Sequence, residues 1–213
     1  MALPFRQESA ETDRLPALSD GVIAIAITLL VLEISVPTVP PGSPRSVLPG
    51  LLFEQWPEYL AFALSFLVVG LYWVLHRRTF VHVERHDTGI LYLNLLFLLM
   101  VAFVPYATSV FTTYPDGTGV AFLSGILALT GFSLTLVWVY ASRKDLLEEG
   151  LTSRVVSIQA ARYLASPLVF LAAMLVAVVD PTLAMLTCLL LVPINAALQS
   201  RLVASVEESL QES

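Results

Sequence analysis

Five polar side chains sit where the surrounding apolar sequence offers them no water. Ser19 and Asp20 open the first hydrophobic run, His76 and Arg77 close the second, and Asn94 lies just inside the third. Their chemistry is complementary: a carboxylate accepts, a guanidinium donates, serine and asparagine do both, and imidazole does either. Unsatisfied polar groups in lipid cost several kcal/mol each. Ser19 and Asp20 are therefore expected to hydrogen-bond with His76, Arg77 and Asn94, which lie at the same depth, and to pin the first helix to its neighbours. The simpler alternative is that Asp20 caps or snorkels at the interface.

Other reactive groups do not assemble into a catalytic set. His76, His82 and His86 lie close together in sequence, but none belongs to an HExxH pattern, which argues against a catalytic zinc. Cys188 has no second cysteine, so an intrachain disulfide and a cysteine metal site are excluded. Ser124, Ser133 and Ser166 have no base spaced to form a nucleophile pair. An enzyme is not expected, and no cofactor is implied. Arg162 sits about two turns inside an apolar run. It either snorkels or pairs with an acid on another helix, with Gln159 beside it.

The elements that position these residues follow from composition. Of 213 residues, 57% are hydrophobic and 13% charged, and the charged share is about half the soluble norm of roughly 25%. The net charge of −6 leaves no basic stripe for nucleic acid. Six apolar segments of spanning length are read at about 18–36, 59–75, 89–110, 120–141, 155–179 and 182–202. They predict an all-α integral membrane protein, a single domain over 1–213 with polar termini at about 1–13 and 204–213. Continuous runs rather than alternating ones exclude a β-barrel. Asp13 is the expected N-cap of the first helix, with Pro16 in its first turn.

Connections and charges orient the chain. Five prolines between Pro37 and Pro49 predict an irregular loop, Tyr114-Pro-Asp-Gly a tight turn, and Asp180-Pro181 a hairpin between the last two spans. With the N-terminus in the cytosol, nine lysines and arginines fall inside and Arg45 alone outside; an even number of spans returns the C-terminus to the cytosol. Acidic residues before the first span, and no small-x-small site after it, argue against a cleaved signal peptide. A multi-pass location in the cell (inner) membrane is expected.

On a helical wheel, Ile25, Leu29 and Leu32 form one aliphatic stripe climbing about 10 Å, with Thr28 about 60° from it and Ser19 and Asp20 pointing elsewhere. Such a face ordinarily meets lipid or another helix.

The pattern Arg14-xxx-Leu18-Ser19-Asp20-Gly21, followed by Val-Ile-Ala-Ile-Ala-Ile-Thr-Leu-Leu-Val-Leu-Glu, resembles the start of the first helix in the lysosomal/endosomal potassium channel family (transmembrane protein 175). The six-span plan and the His-Arg-Arg closing the second span are in keeping, and the chain looks like a bacterial single-repeat member. Leu18 stands where that family has phenylalanine, keeping burial but not aromatic packing.

The resemblance implies a homotetramer in which the first helix of each subunit lines a central pore. It places the hydrophobic constriction, or gate, at Ile25, with Leu29 and Leu32 above it. It makes Thr28 a selectivity-related hydroxyl, with Ala24 one turn below, and brings Arg14 into the anchoring network. It implies a potassium-preferring cation channel whose permeant partner is K+. No Thr-Val-Gly-Tyr-Gly filter occurs, so carbonyl-cage selectivity is excluded. A ring of isoleucines offers an ion no ligand and would gate by dewetting. Outside, Glu33, Glu54, Glu58, Asp116 and Asp180 outnumber Arg45 and would concentrate cations. The alternatives are a proton-permeable channel, with His76 as titrating group, and a secondary cation transporter. A transporter would be expected to show a repeat pair and broken helices.

Overall fold

Capping side chains set the starts of several helices in this chain. The computed structural model describes residues 8–42, 44–191, 194, 197 and 200. In chain order the helices are α1 (Glu8–Leu29), α2 (Leu48–Glu54), α3 (Trp56–Val81), α4 (Thr88–Thr113), α5 (Gly117–Arg143), α6 (Ser153–Ala177) and α7 (Pro181–Thr187). Asp87 starts α4 by accepting from Ile90 N (2.9 Å). Asp116 starts α5 by accepting from Thr118 N (2.8 Å) and Gly119 N (3.1 Å). Asp180 starts α7 by accepting from Thr182 N (2.7 Å) and Leu183 N (3.1 Å). Each carboxylate satisfies donors that a helix start leaves orphaned and favours the positive end of the dipole.

Five helical segments are long and apolar enough to cross a membrane, the first running from Arg14 to Glu33. A sixth expected span begins as α7 and a 3-10 turn over Cys188–Leu190; most of its remainder, and with it the C-terminal orientation, lies outside the described residues. Residues 1–7 and 204–213 lie outside them too.

Two expectations change. The first helix begins at Glu8, so Asp13 is not its N-cap and Pro16 lies inside it. Proline withholds only one N–H, and neighbouring helices can compensate where one is lost. The proline-rich loop is irregular only as far as Pro44, because Arg45–Val47 form a 3-10 turn and Pro49 lies in the first turn of α2, where its missing N–H costs nothing.

The core lies between α3, α4, α5 and α6. Tyr72 donates to Leu127 O (2.8 Å) and lies 3.1 Å from Ser166 Oγ, tying α3 to α5 and α6. Gly131 allows this approach: a Cβ there would stand 2.8 Å from both Pro167 Cδ and the Tyr72 hydroxyl. Small residues at such crossings let transmembrane helices close up. On one end of the bundle, the loop after α3 pairs with the loop after α5. Glu84 N donates to Leu146 O and Glu148 N to His82 O, both at 2.9 Å. The two loops therefore share a side of the membrane, and it is the side rich in arginine and lysine. The α1 span is the least buried within the subunit, at 28%, followed by α3 at 33%, against 56% for the α5 span. It leans on α3 and α4 by one face only.

Candidate functional site

The buried face of α1 carries Leu15, Ser19, Ile23, Ala26 and Leu30, spaced at three and four residues. That spacing gives a single stripe on a helix. Ser19 is its one polar member and is fully buried. Asn94 Nδ2 donates to Ser19 Oγ (3.0 Å), and Ser19 Oγ donates to Leu15 O (2.9 Å). Asn94 Oδ1 lies 2.8 Å from His76 Nε2. A carbonyl oxygen only accepts, so the imidazole is the donor. One polarity runs through the chain from His76 on α3, through Asn94 on α4, to α1, with no member of this path left unpaired. His76 is held by rings as well, stacked on Phe97 (5.1 Å between centroids) and tilted against Phe80 (4.5 Å).

The structure brings Ser19, Asn94 and His76 together and leaves Arg14, Arg77 and Asp20 outside that path. Arg14 and Arg77 are exposed. Asp20 accepts from the indole of Trp73 (2.8 Å). Trp73 lies one helical turn before Arg77, and its ring N–H reaches the Asp20 carboxylate. An indole in an apolar run reads as an interface anchor; the signal for this bond was the donor it must satisfy when partly buried. Also unforeseen were Tyr140 donating to Asp87 Oδ2 (2.7 Å) and His82 Nδ1 meeting Glu148 Oε1 (2.7 Å). The Ile90 N–H and the Tyr140 hydroxyl hold the Asp87 carboxyl below the usual aspartate range. Burial pushes His86 below the ordinary imidazole value, and neither of its ring nitrogens has a partner among the described residues.

The opposite face of α1 is aliphatic and uncovered. Ile25 is 61% exposed, Leu29 42% and Leu32 73%. From Leu30 to Glu33 the helix tightens to 3-10 geometry, in which residues three apart eclipse. Leu32 therefore stands directly over Leu29, and the stripe keeps its direction across the change of pitch. Thr28 is exposed beside it and donates to Ile25 O (2.8 Å); its hydroxyl oxygen keeps acceptor capacity toward the outside. Leu18 is 51% exposed, which corrects the expectation that it would be buried: it lies two turns before Ile25 on the same stripe.

The C-terminal end of this helix is pinned as well. Ser35 N donates to Glu58 Oε2 (3.0 Å), and Gln55 Nε2 donates to Ser35 O (2.7 Å). Of the acids expected outside, Glu58, Asp116 and Asp180 thus have structural tasks.

These features define a helical membrane protein whose first span is held at both ends by polar contacts and presents an uncovered aliphatic face between them. Comparison with known proteins narrows the class. The family model for the endosomal/lysosomal potassium channel TMEM175 matches residues 14–105. A protein from Chamaesiphon minutus named as a potassium channel is 40% identical over 144 residues, 66% of this chain and 70% of that one. Another from Streptomyces collinus, also named a potassium channel, is 48% identical over 105 residues, 49% of this chain and 49% of its own length. The human protein named endosomal/lysosomal proton channel TMEM175 is 37% identical over 118 residues, 51% of this chain and 23% of that one. A crystal structure of a lysosomal potassium-selective channel TMEM175 homolog from Chamaesiphon minutus superposes with a TM-score of 0.73 and 31% identity, covering 89% of this chain and 98% of that one. The chain belongs to the TMEM175 channel family. It is a membrane protein with that family's fold, and an ion channel family is not an enzyme class.

Proposed function

We propose that this chain is the subunit of a passive, potassium-preferring cation channel in the cell membrane, with four copies of α1 around a central pore. The observation that carries the reading is the division of α1 into two faces. One is locked to α3 and α4 through Ser19, Asn94 and His76; the other leaves Ile25, Leu29 and Leu32 uncovered. In a fourfold assembly those side chains would meet at the axis and exclude hydrated ions by dewetting. Thr28 would offer a hydroxyl oxygen beside the constriction. The names of the bacterial relatives as potassium channels support the choice of ion.

With Ser19 fixed at one end and Ser35 at the other, a swing about a single inner fulcrum is a poor gating motion. Rotation or bowing of the stretch between the two anchors dilates the ring while keeping both sets of hydrogen bonds. The basic loop side of the bundle is assigned to the cytosol, which would put the N-terminus there.

A proton-permeable channel is the second reading, favoured by the names of the vertebrate relatives. His76 fits poorly as its shuttle, since it is buried among aromatic rings with Nε2 committed to Asn94. Protons would travel with water through the dilated stripe.

The test is flux from liposomes holding the purified protein. A potassium gradient alone should drive a flux that follows the electrochemical gradient, and Ile25→Asn should raise basal flux or lower discrimination against sodium. Unchanged flux in that variant would remove Ile25 from the ion path. A requirement for a counter-transported solute would make the protein a transporter.

A further inference from the structure

Two hydrogen bonds near the start of the α1 span fix which way the helix faces. Ser19 accepts from Asn94 on α4 (3.0 Å), and the next residue, Asp20, accepts from Trp73 on α3 (2.8 Å). At about 100° per residue, Leu18 lies about 150° around the helix from the midpoint of those two directions. It therefore points almost directly away from the helices of its own subunit, in agreement with its 51% exposure. Ile25, seven residues on, stands about 20° from the same line and about 10 Å further along the helix.

Side-chain size alternates along this face. Between Leu18 and Ile25 the exposed positions are Asp20, which turns to Trp73, and then Gly21 and Ala24. A Cβ added at Gly21 would meet nothing within 4 Å, so no neighbour within the subunit requires a glycine there. Bulky aliphatic groups thus stand at Leu18 and again from Ile25 to Leu32, with a gap of small residues between them. The two parts of the stripe also differ in freedom. Ile25, Leu29 and Leu32 lie between the anchors at Ser19 and Ser35, whereas Leu18 lies before the first anchor, beside the bonded residue. Bowing of the stretch between the anchors moves those three and leaves Leu18 where it is.

We propose that the Leu18 side chains of the assembled channel form a second, fixed constriction on the N-terminal side of the Ile25 ring, which limits the current through the open pore and takes no part in opening it. The inference rests on the pore reading given above. Gly21 and Ala24 leave a wider, water-holding chamber between the two rings, because a pore is broadest where the side chains facing it are smallest. Arg14 is exposed one turn before Leu18 and begins the span, so the inner ring stands just inside the mouth that opens to the cytosol. A fixed radius there adds a constant resistance in series with the gate. Shortening the side chain lowers that resistance without altering how often the Ile25 ring dilates.

Currents would be recorded from the full chain in inside-out patches, with Cys188→Ser as the parent so that the single natural cysteine does not react. In that parent, Leu18→Cys should be modified by a membrane-impermeant trimethylammonium thiosulfonate applied to the cytosolic face; a thiol facing lipid would not be. The potassium current should then fall at least about fivefold, the effect of about 1 kcal/mol of repulsion between unit charges roughly 4 Å apart in water. Leu18→Ala should raise the single-channel current and leave the open fraction unchanged. Ile25→Asn is the reference for the pore itself. Where Ile25→Asn alters the current, an unresponsive Leu18→Cys channel or an unaltered single-channel current in Leu18→Ala overturns the inner ring alone. Where Ile25→Asn leaves the current unaltered, the pore reading falls and the inner ring with it. A changed open fraction in Leu18→Ala at constant single-channel current would show that Leu18 belongs to the gate, and overturn the fixed constriction.

Discussion

Replacing Asn94 with alanine removes the middle of the hydrogen-bonded path from α3 to α1. Two bonds disappear, Asn94 to Ser19 at 3.0 Å and His76 to Asn94 at 2.8 Å. Interhelical hydrogen bonds in membrane proteins average about 0.6 kcal/mol and reach about 1.7, so the pair contributes roughly 1–3 kcal/mol. Ser19 keeps its bond to Leu15 O, but His76 is left with a buried N–H and no acceptor, adding about 1–3 kcal/mol. The expected loss is roughly 2–6 kcal/mol, which for a chain of this size corresponds to a fall of about 4–24 °C in thermal midpoint. The assay is thermal unfolding in detergent, repeated for Ser19→Ala and for the double variant. The cycle should show coupling above the roughly 0.5 kcal/mol expected of independent sites. Adding His76→Phe to Asn94→Leu should recover part of the loss, because removing both partners of a buried pair costs less than orphaning one. An Asn94→Ala protein with unchanged midpoint, or an additive cycle, would refute the idea that this path holds α1 in place.

Three further outcomes are expected. Gly131→Ala puts a methyl 2.8 Å from Pro167 Cδ and from the Tyr72 hydroxyl, and this overpacking should destabilise by about 1–3 kcal/mol in the same unfolding assay. His86 is held below the ordinary imidazole value by burial. The unfolded chain therefore takes up a proton at a pH where the folded one does not, and stability should fall as pH drops below the ordinary histidine value toward that of His86. His86→Phe should flatten that limb of a stability–pH curve, and an unchanged limb would exonerate this residue. Trp73→Phe keeps the ring but removes the donor to Asp20. It should raise tryptic cleavage near the start of α1 or lower the midpoint by about 1 kcal/mol equivalent, whereas no change would make the indole a packing residue only.

The places where chain reading and structure diverge have a common cause. Span positions were legible because the bilayer sets a length that apolar runs must meet: α3, α4 and α5 run a few residues past their expected ends, and α6 starts two residues early and stops two residues short. The exception is the first, whose helix starts at Glu8, ten residues before the apolar run: a helix does not have to stop where the lipid does. The caps Asp87, Asp116 and Asp180 act locally, within three residues, yet the one cap expected from the sequence, Asp13, proved to lie inside its helix. Depth was legible too, and depth alone put Ser19, His76 and Asn94 within reach of one another. Partner choice was not. Arg77 and Trp73 are one turn apart on α3, and only the rotation and tilt of that helix against α1 decides which meets Asp20.

By itself the sequence determined an all-helical membrane chain, its polar groups in need of partners, and the aliphatic stripe of Ile25, Leu29 and Leu32. Tertiary packing alone decided that Asp20 goes to Trp73, that Leu18 turns outward, and that α1 is tied at Ser35 as well as at Ser19. The physical reason is that hydropathy and capping act along the chain over a turn or a span's length. Which side chains meet across helices depends on rigid-body rotations to which every contact in the core contributes.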